Sequence, residues 1–290
     1  MSEELPVLEM EVSDERFAEW MRANIATAAR HFSVAVDGEP VFGWRLRSIG
    51  VRASRAGAWC WLRVVSDYPR WASGDGWTGN ADANALIGIA KPQLLDVCEW
   101  DDGGRRQRAE LFTLLPGTPV SITEVLHRTV HLSERWWAQL RANLEKLRNT
   151  PTGRINADQP IVSRRSAAAF GADLRVQRWE TVHGDLHWAN LLFPKLGILD
   201  WELWGQGPVG TDAATLYCHS LLVPAVADQV RVTFADVLEG PDGRTAQLAA
   251  AARMLGRIED GDYPELEHPL REHIAALDAP QPSGERRYRP

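Results

Sequence analysis

The sequence predicts a bilobal α+β fold, with a small antiparallel sheet in an N-lobe and a larger, mainly helical C-lobe. From residue 32 to 115, short apolar runs rich in Val, Trp and Ile alternate with glycine-containing turns, a pattern typical of antiparallel strands. The segment PGTP at 116–119 carries two prolines and does not continue a helix. Beyond it, apolar residues recur with helical spacing for most of the remaining length. We therefore expect an N-lobe over 32–117 and a C-lobe over 118–275.

The same patterns predict the individual elements in order. Apolar residues at helical spacing indicate a helix over 13–31, within an N-terminal helical extension over 1–31. In the N-lobe we predict strands over 41–54, 58–66, 92–100 and 106–115, and a short helix over 80–89. In the C-lobe we predict one or two helices within 121–149 and further helices over 211–222, 224–238 and 244–258, with small strands around polar loops between 175 and 205. Residues 276–290 are expected to form a flexible tail.

Composition limits the class of partner and the compartment. The 290 residues include 32 Lys and Arg and 39 Asp and Glu, which gives a formal net charge of −7. A non-specific nucleic-acid binder needs an excess of positive charge, so we expect no nucleic-acid partner. No stretch approaches the roughly 18 apolar residues of a membrane span, and the first residues lack the features of a signal peptide. We expect a cytoplasmic protein with no membrane contact, and the sequence leaves the oligomeric state open.

One segment carries the pattern of a catalytic site. It reads HGDLHWAN over 183–190, and Asp200 follows ten residues later in the apolar run ILDWE. Phosphoryl transfer needs an aligned hydroxyl and neutralised phosphate charge more than covalent help from the protein. Asp185 can orient and deprotonate such a hydroxyl, and we group His183 with it as the residue that braces the loop. Asn190 and Asp200 carry the oxygen donors that Mg²⁺ prefers.

Other interpretations of these residues stay open. The segment can be a polar turn before a buried strand. Four of its side chains can also be ligands of a transition-metal hydrolase, namely His183, Asp185, His187 and Asp200. Separately, His127 and His131 lack the Glu of a zinc-protease helix, so we expect them to be polar residues on a helix.

The motifs HGDLHxxN and ILDWE, in this order and near this spacing, resemble the aminoglycoside phosphotransferase and choline kinase branch of the protein-kinase-like fold. The resemblance implies a phosphotransferase that binds ATP and Mg²⁺ between its lobes. It also implies a small-molecule hydroxyl as acceptor, such as an aminosugar-like or other natural-product alcohol. Two alternatives are a kinase that acts on Ser or Thr of a peptide and a non-catalytic, kinase-like binding module.

The resemblance extends less tightly to the N-lobe. The family uses a strand Lys on the phosphates and a helix Glu to position it, and this chain has Arg63 and Asp82 near those places. Arg63 can bind phosphate oxygens, although Arg and Lys differ in reach and hydration. The turn around Ser48 and Gly50 is expected to cover the phosphates. A hinge that begins at Glu110 and includes Phe112 is expected to hold the adenine.

Further positions follow from the same resemblance. Asp212 falls where the family has an Asp that stabilises the catalytic loop. The expected acceptor cleft consists of His187, Trp188, Trp201 and Glu202. For the tryptophans, a second interpretation is that their rings pack in the core beneath the loop.

Overall fold

The structure is a computed structural model that describes the backbone of residues 7–278 and the side chains of 14–277. The described helices are α1 (Val7–Phe32), α2 (Asp75–Asp82), α3 (Glu134–Arg148), α4 (Gln159–Phe170), α5 (Thr211–Cys218), α6 (Pro224–Thr233), α7 (Ala235–Leu238), α8 (Pro241–Glu259) and α9 (Glu267–Asp278). The described strands are β1 (Ala35–Phe42), β2 (Ser48–Arg55), β3 (Ala58–Asp67), β4 (Leu94–Asp102), β5 (Arg105–Thr113), β6 (Thr118–Pro119), β7 (Trp179–Val182), β8 (Leu192–Phe193) and β9 (Gly205–Pro208).

The chain divides into two compact units. The first contains the described residues up to Gly117 together with Gly197–Glu202, and the second contains Thr118–Leu196 and the described residues from Leu203 onwards. The segment that carries Asp200 therefore belongs to the first unit, although its neighbours in the sequence belong to the second.

The first unit is built on an antiparallel sheet of five strands in the order β1-β2-β3-β5-β4. Helix α1 packs across one face of this sheet. The core between them consists of Met21, Ile25, Ala28, Ala29, Phe32, Ile49, Val51, Ala53, Cys60, Leu62, Val64, Ala109 and Leu111. Fully burying a large apolar side chain contributes about 1.5–3 kcal/mol. The helix that the sequence places in an N-terminal extension is thus part of the hydrophobic core of the first unit.

The other face of the sheet carries the residues that the sequence assigns to the nucleotide. Gly50 and Glu110 pair with Arg63 from the strands on its two sides. Because side chains alternate along a strand, Ser48 shares the face of Gly50 and Phe112 shares the face of Glu110. The five expected nucleotide-contacting residues therefore lie on one face, opposite α1.

The turn expected at Ser48 and Gly50 lies earlier in the chain. Both residues belong to β2, and the β1–β2 connection is a short 3₁₀ turn over Trp44–Leu46. Gly50 is required for a different reason, since a Cβ there would come within 2.6 Å of the ring of Trp61. The expected helix also begins earlier than predicted, at Asp75, and is followed by a 3₁₀ turn over Ala83–Ala85.

The second unit is mainly helical, with α4 and α5 packed against α8 and two small sheets, β6-β8 and β7-β9. Of the one or two helices expected within 121–149, the structure has α3 alone, which begins after Ser133, whose hydroxyl accepts a hydrogen bond from the N–H of Trp136; a helix over 121–133 is absent from this described segment. His127 and His131 lie in the irregular segment before it, so their placement on a helix is also wrong.

Two helices were absent from the sequence-based prediction. Helix α4 has a clear start and stop, with Asp158 accepting from the N–H of Ile161 and Gly171 in the left-handed conformation. Its small-residue sequence hides the apolar pattern. Helix α9 includes residues 276–278 of the predicted tail, and the rest of that tail lies outside the described residues. Among the helices that the structure describes, none has both the length and the apolar character needed to cross a membrane.

Candidate active site

The HGD loop begins directly after β7, and its second residue must be glycine. Gly184 has a φ of 81°, a conformation that L residues rarely adopt. A Cβ at this position would collide with the side chain of Asn156 and lie 2.8 Å from the carbonyl oxygen of Leu203. The glycine therefore lets the chain turn sharply against its neighbours and brings Asp185 to the tip of the loop.

Asp212 holds the start of this loop. Its two carboxylate oxygens accept hydrogen bonds from the N–H groups of His183 (2.8 Å) and Gly184 (2.9 Å). Burial raises the pKa of Asp212 to about 7, against the opposite effect of these two N–H groups. His183 is fully buried, and its Nδ1 accepts from the N–H of Asp185 at 3.3 Å. Asp212 and His183 therefore fix the backbone on both sides of Gly184.

The carboxylate of Asp185 is bound by Arg253 of α8. One of its oxygens pairs with the guanidinium, which also donates to the carbonyl oxygen of Gly184 at 2.5 Å. The other oxygen lies 3.6 Å from Nε2 of His187. Burial acts to raise the pKa of Asp185, but Arg253 and His187 outweigh it and hold the pKa well below its usual range. Asp185 is therefore ionised at neutral pH.

Sequence reasoning did not identify Arg253 as a site residue. It lies 68 positions beyond Asp185, in a stretch of α8 made almost entirely of Ala, Leu and Met. A single charged residue in such a stretch was the available signal.

The described hydrogen bonds of the Asn190 side chain use its amide nitrogen, so its amide oxygen is available to a ligand. Its Nδ2 donates to the carbonyl oxygen of Asp185 at 3.1 Å and lies 3.1 Å from Nε2 of His187. Among the described residues, no hydrogen bond reaches its Oδ1. The loop thus fixes the side chain through its nitrogen, which suits Asn190 to donate an oxygen to a hard cation such as Mg²⁺.

The rings that follow Asp185 pack into the second unit. His187 is 6% exposed and stacks on His219 with ring centroids 5.6 Å apart. Trp188 is fully buried, donates its indole N–H to the hydroxyl of Ser220 at 3.0 Å, and meets the ring of Trp137 edge-on. Trp188 therefore lies in the core beneath the loop, as the second interpretation of the tryptophans has it.

In the first unit, Arg63 is surrounded by carboxylates. Its guanidinium donates to Glu110 at 3.0 Å and to Glu202 at 2.5 Å, and it lies 4.0 Å from Asp200. Arg47 binds the second oxygen of Glu202 at 2.9 Å. Burial acts to lower the pKa of Arg63, but Glu202, Asp200 and Glu110 raise it above the usual value. Glu202 thus bridges Arg47 and Arg63, with one carboxylate oxygen bound to each guanidinium.

Glu110 on β5 is a buried carboxylate partner of Arg63. Its side chain is 1% exposed and accepts hydrogen bonds from Arg63, from Nδ2 of Asn80 (2.9 Å) and from Nε of Arg108 (3.0 Å). Its side chain is enclosed within the sheet, and the hinge that is expected to begin at Glu110 stays a prediction.

Asp82, the expected acid, bonds within its own helix, where it accepts from the hydroxyl of Thr78 at 2.7 Å. The hydrogen bonds described for Arg63 go to Glu110 and Glu202, so Arg63 does not pair with Asp82, a contact that the sequence left open. The acidic partners of Arg63 thus come from β5 and from Glu202, and α2 supplies none of its described hydrogen bonds.

Asp200 stands in a strained backbone conformation. Its φ is 57°, and its side chain is 41% exposed. The segment is held from both sides, since the N–H of Ile198 donates to the carbonyl oxygen of Ala90 (2.7 Å) and the N–H of Trp201 donates to Asn80 (3.0 Å). Left-handed non-glycine residues cost about 1–3 kcal/mol and cluster at functional sites. The buried Trp201 anchors the turn, with its indole N–H on the carbonyl oxygen of Ile198.

The structure thus brings the predicted site residues into two groups. His183, Asp185, His187, Trp188, Asn190 and Asp212 gather in the second unit, and the others gather in the first. In the part of the chain that the structure describes, no three His, Cys, Asp or Glu side chains are grouped so as to hold a metal ion.

Comparison with known proteins adds a family and a fold. Residues 81–247 match the phosphotransferase enzyme family. The fold is similar to a thermostable mutant of aminoglycoside phosphotransferase APH(4)-Ia in ternary complex with ADP and hygromycin B (TM-score 0.62, 13% identity, 88% of this chain and 99% of that chain). It is also similar to macrolide 2'-phosphotransferase MphH from Brachybacterium faecium (TM-score 0.55, 19% identity, 90% of this chain and 99% of that chain). No curated protein sequence matches this chain significantly.

Proposed function

This chain belongs to the phosphotransferase enzyme family, and from that premise we propose that it transfers the γ-phosphoryl group of ATP to a hydroxyl group of a small-molecule alcohol. One observation carries the proposal. It is the loop in which Arg253 binds the ionised carboxylate of Asp185, Nδ2 of Asn190 donates to the backbone carbonyl oxygen of Asp185, and Asp212 fixes the backbone.

Asp185 is proposed as the group that orients and deprotonates the acceptor. The acceptor oxygen forms a bond to the γ-phosphorus while the bond from that phosphorus to the bridging oxygen breaks, and ADP leaves. The hydroxyl proton passes to Asp185 and then to water. Because the pKa of Asp185 is low, its main contribution is to align the hydroxyl and to take the proton late in the transfer. His183 is proposed to act only through the loop that it braces.

Asn190 and Asp200 are each proposed as oxygen ligands of Mg²⁺. The support comes from their own surroundings, which are a fixed amide with its oxygen left over and an exposed carboxylate on a strained turn. When bound, the metal neutralises phosphate charge. The residues of this chain hold those two oxygen donors in fixed positions.

The sheet face opposite α1 is proposed to receive the nucleotide. Arg63 brings a permanent positive charge to that face, and Glu110 and Glu202 fix its direction. Ser48 and Gly50 lie on the same face as Arg63, where Trp61 packs over Gly50, and Phe112 is proposed to contact the base. Arg47, in the turn after β1, adds a second guanidinium.

The test of the metal and nucleotide roles is calorimetric titration with ADP, with and without Mg²⁺. We expect Asp200→Ala to remove most of the Mg²⁺-dependent part of the affinity and to leave the fold intact, since the residue is exposed. Asp101→Ala, an exposed Asp on β4, is the matched control and should titrate like wild type. Equal Mg²⁺ dependence in wild type and Asp200→Ala would contradict the role of Asp200.

The alternative of a non-catalytic module is separated from catalysis by Asp185→Asn. This substitution keeps the shape of the side chain and should leave nucleotide affinity within about twofold while it lowers transfer by about 10²–10⁴-fold. A chain that binds nucleotide and turns over no acceptor in either form would be a binding module. A peptide kinase would show the same loss on a Ser- or Thr-containing peptide.

A further inference from the structure

Glu202 occupies the two guanidiniums that the proposed nucleotide face offers to phosphate. Its Oε1 accepts from Nη2 of Arg63 at 2.5 Å, and its Oε2 accepts from Nη1 of Arg47 at 2.9 Å. All three residues belong to the first unit, so these contacts lie within one compact part of the chain. Carboxylates and phosphates bind the same N–H groups of a guanidinium. A phosphate therefore has to compete with Glu202 for these donors.

The two carboxylates bound to Arg63 differ in how deeply they lie. Glu110 binds Nη1 at 3.0 Å and its side chain is 1% exposed, whereas Glu202 binds Nη2 and is 13% exposed. Arg47, on the other side of Glu202, is 32% exposed. Because the bonds to Glu202 lie nearer to solvent, we expect an incoming anion to replace Glu202 and to leave the Arg63–Glu110 pair in place.

The charges around these arginines disfavour a nucleotide that arrives without a cation. Asp67 also binds Arg47 at 3.0 Å, and Asp200 lies 4.0 Å from Nη2 of Arg63. The ion pairs connect three guanidiniums with five carboxylates, which are Arg47, Arg63 and Arg108 with Asp67, Glu99, Glu110, Asp200 and Glu202. A polyphosphate adds further negative charge to a group in which carboxylates already outnumber guanidiniums, and a divalent cation offsets that repulsion.

From these contacts we propose that Glu202 makes nucleotide binding depend on the divalent cation, because it holds Arg47 and Arg63 until phosphates that arrive with Mg²⁺ replace it. The inference rests on the proposed function, since it takes the sheet face opposite α1 as the nucleotide site. Asp200, the proposed ligand of Mg²⁺, lies beside the same Nη2, so a cation there also reduces the negative charge next to Arg63. Glu202 acts through the two arginines and is therefore a positioning residue.

The experiment measures the binding of ADP and of adenosine to the full chain by calorimetry, each with Mg²⁺ and with the metal removed by EDTA. Adenosine is the internal control, since it has no phosphate to compete with Glu202. For wild type we expect ADP to bind at least about tenfold more weakly without Mg²⁺, whereas the affinity for adenosine stays within about twofold. This comparison uses wild type alone and does not depend on the folding of a variant.

Glu202→Gln removes the negative charge and keeps the size of the side chain. Without Mg²⁺ we expect this variant to bind ADP about tenfold more tightly than wild type does, with adenosine unchanged. Glu99→Gln is the matched control, because Glu99 belongs to the same ion pairs but is bound to Arg108 instead of Arg47 or Arg63. It should bind metal-free ADP as wild type does. Thermal melting shows whether each variant is folded.

Three results would each overturn the proposal. The first is equal affinity of wild type for ADP with and without Mg²⁺, and the second is equal metal-free affinity for ADP in Glu202→Gln and Glu99→Gln. The third is a Glu202→Gln variant that loses affinity only in the presence of Mg²⁺, which would make Glu202 a metal ligand instead. Failure of wild type to bind ADP under either condition would contradict the proposed function itself.

Discussion

At the scale of single residues, the loop around Asp185 depends on groups that never touch a substrate. Asp212 satisfies two backbone N–H groups, and His183 satisfies a third. A buried donor left without a partner costs about 1–3 kcal/mol, so the position of Asp185 is determined as much by these bonds as by its own contacts.

Removing the side chain of Asp212 should show this directly. Asp212→Ala leaves the N–H groups of His183 and Gly184 without acceptors in a buried place, and we expect the free energy of unfolding to fall by about 2–4 kcal/mol. Because the loop is released, kcat should fall more than KM changes. Denaturant unfolding and steady-state kinetics measure the two effects. Unchanged stability would mean that the bonds to Asp212 contribute nothing.

Asp212 should also give the stability a recognisable pH dependence. Its pKa is about 7 in the folded chain and about 3.9 when unfolded, so the folded state binds more protons between these values. The contribution of this group is therefore greatest at low pH and is lost as the pH rises towards 7. Comparing unfolding at about pH 5 and about pH 8 should show a smaller fall for Asp212→Asn than for wild type. An identical fall in both proteins would contradict the raised pKa.

At the scale of elements, strand β3 and helix α2 are connected to strand β5 by hydrogen bonds to the buried carboxylate of Glu110. Glu110 accepts from Arg63 of β3 and Asn80 of α2, and Asn80 also accepts from the N–H of Trp201. The same residues thus fix the sheet, the helix and the turn that carries Asp200, all within the first unit.

Glu110→Ala should be among the most destabilising substitutions in the sheet. It leaves two largely buried arginines, Arg63 and Arg108, without a shared carboxylate, and breaking a buried pair costs about 3–5 kcal/mol. Asp101→Ala, which breaks an exposed pair with Arg106 on β5, is the control and should leave stability unchanged. Urea unfolding of both variants decides the matter, and similar midpoints for the two would refute the role given to Glu110.

Two glycines of α2 offer a matched test of how that helix meets the Asp200 turn. A Cβ on Gly79 would collide with the carbonyl of Glu202 and lie 2.6 Å from that of Trp201, whereas a Cβ on Gly76 meets nothing. Gly76→Ala should stabilise the chain by about 0.5–1 kcal/mol, because alanine favours a helix.

Gly79→Ala should instead destabilise the first unit and weaken the binding of ADP with Mg²⁺, because the turn that carries Asp200 must move. Thermal melting and calorimetry on the two variants provide the comparison. A Gly79→Ala protein as stable as Gly76→Ala would show that α2 does not support this turn.

At the scale of the whole molecule, the fold class predicted from the sequence is confirmed, and so is the resemblance of the two motifs to the phosphotransferase family. Both the fold class and the family resemblance could be predicted from local patterns, because strand alternation, glycine turns and the HGD spacing are properties of residues that are neighbours in the sequence. The assignment of Asp185, Asn190 and Asp200 to catalysis and metal binding stays a prediction.

What the sequence could not provide were partners brought together by folding. Arg253 reaches Asp185 from a distant helix, and Glu202 reaches Arg63 across 139 positions. A carboxylate partner of Arg63 comes from a neighbouring strand, because the register of β3 and β5 sets Glu110 beside Arg63. Such pairs follow from register and packing, which composition and periodicity do not encode.

The account depends most on the claim that Asp185 assists transfer of a phosphoryl group to a hydroxyl. The most direct test incubates wild type and Asp185→Asn with ATP, Mg²⁺ and a panel of anionic, neutral and cationic alcohols, and follows phosphorylated product by mass spectrometry together with ADP. We predict that wild type forms a phosphorylated alcohol in equal amount to ADP, and that Asp185→Asn does so at least about 10²-fold more slowly while it binds ADP normally. Equal product from both proteins, or ADP formed by wild type with phosphate passed only to water, would contradict the account.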